Sequence, residues 1–258
     1  KKISKKYNLL ILEDSADVLG AKFNNKPTGK YADISITSFY GMHMINCAGN
    51  GGMITTSNKK FFEESKLLRS WGRSSSLFKE SEKIENRFNV FLDNIRYDAK
   101  FIFEKVGYML EPSELGSSFG LVQLKKLSKT LSIRKKAANR HIKFFKNYTK
   151  WFELPEMNSK CKSYWFAFPL IVRPKAPFNR TDLQIFLEKR NIQTRVIFTG
   201  NILRQPGFKN IKKRISPEGY PVADRVMKNG ILLACHHGLT EKMFEHLYSS
   251  LTEFLKKY

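Results

Sequence analysis

The 258-residue chain carries 46 Lys and Arg against 23 Asp and Glu, a formal net charge of +23, with 41% hydrophobic and 13% aromatic residues. That apolar content suits a folded protein and excludes a disordered one, and no apolar run approaches the roughly 20 residues that span a bilayer. The basic excess could attract nucleic acid. However, the lysines are scattered along the chain on predicted solvent faces such as Lys125-Lys126, Lys135-Lys136 and Lys256-Lys257, with no helix-turn-helix, zinc or RNA-binding aromatic pattern, so a nucleic-acid partner is not expected.

Residues 1 to 6 form a basic lead-in that runs straight into a strand, unlike a signal peptide. The apolar run Tyr7 to Leu12 predicts a strand buried on both faces, ending in the carboxylate pair Glu13-Asp14. Asn24-Asn25 and Pro27-Thr-Gly29 mark a turn. A second run, Ile34 to Phe39, ends in a polar turn carrying His43, and Gly51-Gly52 leads into a short third run, Met53 to Thr56. Chemistry collected at the carboxyl ends of strands suggests an open α/β sheet with its ligand beyond that edge. Asp14, Ser38 and His43 would then share one cleft, with Asp17 close by in sequence.

Ser57-Asn58 suits a cap for a helix from about Lys59 to Trp71, and Arg69-Ser-Trp-Gly-Arg73 follows on its end. Pro112 and Ser113 suit a helix start, with Leu115, Phe119, Val122 and Leu124 at helical spacing. A further basic helix is predicted from about Ser132 to Trp151, then a strand over Tyr164 to Val172, a helix capped by Arg180-Thr-Asp-Leu that runs to about Arg190, and a strand at Ile192 to Arg195. In the stretch from Gln193 to Pro206, Arg195 and Arg204 offer guanidinium forks for anions or hydroxyls, and Asn201 offers both a donor and an acceptor. His236 lies in Ala234-Cys-His-His-Gly-Leu-Thr240, ahead of a final helix. The three cysteines, Cys47, Cys161 and Cys235, are odd in number and far apart, as free thiols in a reducing cytoplasm would be. No metal site is expected.

In this order, Glu13-Asp14, Ser38-Phe39-x-x-x-His43, Arg69-Ser-Trp-Gly-Arg73 and Gly200-Asn-x-x-Arg-Gln-Pro206 resemble the fold-type I, pyridoxal-phosphate-dependent sugar aminotransferases of the DegT type. The resemblance implies an α/β, aspartate aminotransferase-like fold: part of a large cofactor-binding domain over residues 1–130, a connecting helix over 131–151 and a small C-terminal domain over 152–258. It implies that Asp14 meets the pyridinium nitrogen, that Ser38 holds the cofactor phosphate and that Asp17 adds a further cofactor contact. The family's Schiff-base lysine is replaced by His43, and no lysine occurs between Lys30 and Lys59.

One branch of the family carries this replacement, the 3-dehydratases of nucleotide-linked 4-keto-6-deoxyhexoses, which serve dideoxy-sugar and O-antigen biosynthesis. Their likeness makes His43 the base and places Arg195, Asn201, Arg204 and His236 on the sugar substrate. It further implies pyridoxal and pyridoxamine 5′-phosphate as cofactor forms, L-glutamate as amino donor and a homodimer. Ser74-Ser-Ser76 stand where the iron-sulfur members have cysteines, and three cysteines fall short of the four thiolates of a [2Fe–2S] cluster, so no cluster is expected.

The chain departs from the family at several points. It begins where relatives are already well inside the large domain, Met109 replaces an Asn that reaches the neighbouring subunit's phosphate, and the loop from His43 to Gly51 is one residue longer. These departures keep open the alternative of a non-catalytic remnant or interaction subunit. An ordinary transaminase is disfavoured by the missing lysine.

Overall fold

The computed structural model describes residues 1–258, which divide into two units, Lys1–Leu127 and Ser128–Tyr258. The basic lead-in is a helix, α1 (Lys2–Tyr7), which ends where Asn8 takes a left-handed conformation (φ 51°). The lysines favour helix for the lead-in, which takes Tyr7 from the expected strand, and the strand itself starts later and is shorter than expected: β1 covers only Leu12–Asp14. Nor is it buried on both faces, since Leu9, Leu10 and Leu12 are exposed.

The second and third runs form as read, β2 (Ile34–Ser38) and β3 (Gly52–Thr55). The order is β1-β2-β3, with β1 parallel and β3 antiparallel to β2. Between β1 and β2, Lys22–Phe23 and Lys26–Pro27 form a hairpin whose turn places Asn24 (φ 49°) and Asn25 (φ 59°) in left-handed conformations, as a two-residue hairpin turn requires. Helix α2 (Lys59–Arg69) is capped by Asn58, whose Oδ1 accepts from the Phe61 N–H at 3.3 Å.

The two helices expected on either side of residue 130 are one, α3 (Glu114–Phe145), because no Gly or Pro breaks the run between them.

In the second unit, β4 (Phe152–Glu153), β5 (Ala167–Val172) and β6 (Gly230–Ala234) make an antiparallel sheet in the order β6-β5-β4. Along β5, Phe168, Leu170 and Val172 alternate inward with period two. Helix α4 (Arg180–Glu188) starts at a capping box between Asn179 and Asp182, one residue before the expected cap. Helix α5 spans Pro221–Asn229, and α6 (Glu241–Leu255) is capped by Thr240. From α6, Phe244, Leu247, Leu251, Phe254 and Leu255 enter a core shared with Phe145, Phe152, Phe168 and Ile231. The expected strand at Ile192 to Arg195 reduces to a single bridge between Arg195 and Leu232. No helix is long and apolar enough to cross a membrane.

The two units differ in packing. The buried apolar residues of the first are few, among them Ala21, Met44, Ile45, Leu67 and Ala99, while Val106 (98%), Leu115 (85%) and Leu12 (65%) stand in solvent.

His141 is fully buried in the second unit. Its Nε2 lies 2.9 Å from the Ala234 carbonyl oxygen and its Nδ1 lies 3.1 Å from the Tyr248 hydroxyl. This pattern suits a neutral ring that donates from Nε2 and accepts at Nδ1. Burial, only partly offset by the Ala234 bond, lowers its pKa to about 4. As pH falls below the ordinary histidine value the unfolded chain takes up a proton that the folded one refuses, so stability falls with pH until the folded group itself titrates near 4. Between pH 7 and pH 5 the loss is about 2 kcal/mol, or roughly 5 °C in melting temperature. Thermal melts of wild type and His141→Gln across this range check it: the variant, though less stable at pH 7, should have the flatter profile.

Candidate functional site

The carboxylates that end β1 point to opposite faces because side chains alternate along a strand. Glu13 is structural: its Oε1 accepts from the Ser15 hydroxyl at 2.5 Å and from the Gly29 N–H at 2.6 Å. Asp14 is exposed, and its Oδ1 accepts from the Ala16 N–H at 3.1 Å. In the parallel register Asp14 lies beside Ile36, and Ser38, two residues on, shares that face. The Ser38 Oγ accepts from the Tyr40 N–H at 3.2 Å, which leaves its hydroxyl hydrogen to donate.

After β2 the chain turns, with the His43 N–H donating to the Tyr40 carbonyl at 2.9 Å. The imidazole Nε2 stands 3.1 Å from the Asp17 Oδ1, with the two side chains 18% and 28% exposed. The Tyr40 ring meets the imidazole edge-on at 5.6 Å between centroids. Asp17 thus sits as the partner of His43. The loop is closed by backbone bonds from Phe39 N to Gly51 O (2.9 Å), Gly41 N to Gly49 O (2.8 Å) and Cys47 N to Phe39 O (3.0 Å), and Met44 and Ile45 anchor it inward. In this unit Asp14, Ser38, Asp17 and His43 therefore come from adjoining strand ends and loops.

The Arg69-Ser-Trp-Gly-Arg73 turn is locked to residues 102–110. Trp71 N donates to Tyr108 O (2.9 Å), Leu110 N to Arg69 O (2.9 Å), Glu104 N to Gly72 O (2.9 Å) and Ser74 N to Ile102 O (3.1 Å). Met109 pairs across this turn with Ser70. Arg69 Nε lies 3.2 Å from Glu111, which also accepts from the Ser70 hydroxyl.

In the second unit, the expected substrate residues are held by protein groups. Arg204 forks onto Asp224, Nε to Oδ1 at 2.5 Å and Nη2 to Oδ2 at 2.6 Å. Asn201 is buried, its Nδ2 donating to the same Oδ1 at 2.7 Å and its Oδ1 accepting from the Leu203 N–H at 3.1 Å. Arg204 first and Asn201 second bring the Asp224 pKa down to about 2. Sequence reading missed Asp224, which lies in the first turn of α5 and in no recognisable motif. Arg195 donates from Nη1 to the Thr194 carbonyl at 2.8 Å. His236 Nδ1 accepts from the Gly238 N–H at 3.1 Å, and burial, then the nearby Arg134, lowers its pKa. Asn201 and Arg204 are brought together through Asp224, whereas Arg195 and His236 each bond to neighbouring backbone.

A parallel strand pair with its polar groups at the carboxyl ends, a long helix and an antiparallel second unit make a mixed α/β architecture, and the matched family and solved structures identify it as the fold of the fold-type I, pyridoxal-phosphate-dependent transferases. The profile of the DegT/DnrJ/EryC1/StrS aminotransferase family matches residues 1–252, and the chain belongs to that family. It is 31% identical over 257 residues to the lipopolysaccharide biosynthesis protein RfbH of Salmonella typhimurium, covering 98% of this chain and 58% of that protein. It is also 31% identical over 258 residues to the dTDP-4-dehydro-2,6-dideoxy-D-glucose 3-dehydratase of Saccharopolyspora spinosa, covering 99% and 55%. Among solved structures, Escherichia coli GDP-4-keto-6-deoxy-D-mannose-3-dehydratase with bound hydrated PLP superposes with a TM-score of 0.81 at 26% identity, over 97% of this chain and 61% of that one. The chain spans a little over half the length of the curated relatives it matches.

Proposed function

We propose that this chain serves the 3-dehydration of a nucleotide-linked 4-keto-6-deoxyhexose with pyridoxal and pyridoxamine 5′-phosphate as cofactor forms, on the way to a dideoxy sugar of the O-antigen kind. The observation that carries the reading is His43, which follows Ser38-Phe39 in place of a lysine and is held 3.1 Å from Asp17. An imidazole moves protons near neutral pH and forms no stable covalent link to an aldehyde.

The donor set fits the cofactor: an exposed carboxylate at the end of β1 suits a protonated ring nitrogen, and a serine hydroxyl on the same face at the end of β2 suits a phosphate oxygen. When bound, the cofactor supplies an amine for the sugar's C4 ketone and a ring that takes up electron density. Asp14 keeps the proton on the ring nitrogen, and Ser38 donates to the phosphate. His43 would take up a proton from the cofactor's C4′ carbon and return it to the 3-hydroxyl, which leaves as water, while Asp17 would steady the transient imidazolium. Arg195 and His236 are proposed for the nucleotide-linked sugar. Asn201 and Arg204 are also assigned to it, reaching it while sharing Asp224. Glutamate as amino donor, a homodimer, a cytoplasmic location and the lack of an iron-sulfur cluster belong to the same reading.

The test is an absorbance spectrum of purified protein with pyridoxal phosphate, before and after glutamate. Retention of a bound chromophore through desalting, and its shift from the aldehyde band to the amine band with glutamate, are expected. Protein that retains no cofactor overturns the reading. A second reading, a non-catalytic interaction subunit, is favoured by the apolar side chains that the first unit leaves in solvent, a surface suited to another polypeptide.

A further inference from the structure

We infer that Cys47, seated in a notch formed by Gly116 and Gly120 of α3, positions the His43 imidazole against Asp17. The inference rests on the reading of His43 as the base and adds three positioning residues to it, none of which touches the reacting atoms.

The notch is a close approach of the helix backbone to the backbone of Cys47 at Gly116 and to its side chain at Gly120. A Cβ on Gly116 would stand 2.9 Å from the Cys47 carbonyl oxygen, and a Cβ on Gly120 would stand 2.5 Å from the Cys47 Sγ. The two glycines lie one turn apart, so they clear the same strip of helix surface. Each lowers helix stability by about 1 kcal/mol relative to alanine, a cost that the seat for Cys47 explains. The start of α3 is itself fixed, with Ser113 Oγ accepting from the Gly116 N–H at 3.3 Å and Ser113 O from the Ser117 N–H at 2.8 Å.

From this seat the constraint passes along a short path. Cys47 N donates to Phe39 O, which ties it to the residue after Ser38, and between Cys47 and His43 the buried Met44 and Ile45 leave little slack. Displacing Cys47 therefore displaces the loop that carries His43. Burial raises the pKa of the thiol, which keeps it protonated and suits packing rather than chemistry.

The test uses the full chain with histidine side chains labelled for NMR, the His43 resonances being assigned by their loss in His43→Asn. Gly120→Ala should shift these resonances and lower kcat about 10²-fold, the usual cost of a 1 Å misplacement, with KM little changed. Adding Cys47→Ala should restore both, because with the Sγ gone the introduced Cβ faces the Asn46 carbonyl oxygen and the residue-47 Cβ at 3.8 Å each, ordinary van der Waals contact. Cys47→Val crowds the notch from the loop side and should move the same resonances, which decides the matter if Gly120→Ala does not fold. Unchanged His43 resonances in either single variant, or failure of the double variant to restore them, overturn the inference. Resonances that move and are restored, in a protein whose turnover survives His43→Asn, support the positioning and instead remove His43 as the base.

Discussion

On the proposed reading, His43→Asn should lower the rate of 3-dehydration of a nucleotide-linked 4-keto-6-deoxyhexose by about 10³-fold while leaving pyridoxal phosphate bound. Asparagine is close to isosteric with the near half of the imidazole, but its amide stops short of the Nε2 position that meets Asp17 at 3.1 Å, so the variant removes the Asp17 contact together with the base. The amide accepts no proton near neutral pH, and the loss of a positioned general base costs about 10²- to 10⁴-fold. In the proposed site the cofactor is held by Asp14 and Ser38, on other strand ends, so its retention should survive. A loss below tenfold with cofactor bound would move the base role to another residue.

Gly72→Ala should be the most damaging single methyl in the first unit. Gly72 has φ +81°, a region where L side chains are strained, and its Cβ would overlap the backbone carbonyl of Lys105. The obstacle is main chain, held by the bonds that lock the Arg69-Ser-Trp-Gly-Arg73 turn to residues 102–110, so no side chain can swing away. Left-handed strain of about 1 to 2 kcal/mol and the overlap together give a loss of about 4 kcal/mol. Against the 5 to 15 kcal/mol typical of folded domains, that depletes much of the stability. Gly207→Ala is the control, since a Cβ there meets nothing within 4 Å and should change stability by less than about 0.5 kcal/mol. Denaturant titration of the two variants checks the contrast, and a loss near 1 kcal/mol for Gly72→Ala would show that the turn yields.

Local chemistry was legible in the sequence where it acts over a few residues. The Asn58 cap, the Asn24-Asn25 turn, β2 and the final helix after Thr240 all formed as their residue types dictate. Two departures came from local signals: the basic lead-in formed a helix that took Tyr7 from the first apolar run, and the absence of a breaker near residue 130 joined two helices. Other features depend on long-range partners. Asp224 meets Arg204 from 20 residues away and Asn201 from 23, with no periodicity to announce it. Gly116 and Gly120 read as weak helix positions until the Cys47 loop is seen against them. The order of the motifs indicated the family, but not that Asn201 and Arg204 would be engaged by a carboxylate of their own chain.

The thin core beneath Asp14, Ser38 and His43 links occupancy to folding. A ligand that binds the folded first unit and not the unfolded one adds RT ln(1 + [L]/Kd) to its stability, about 2.7 kcal/mol at a hundred times Kd. For a unit with so few buried side chains, that is comparable to the contribution of one or two core residues. A small molecule seated at the strand ends then acts thermodynamically as part of the hydrophobic core, and the melting temperature of this unit becomes a readout of what it binds.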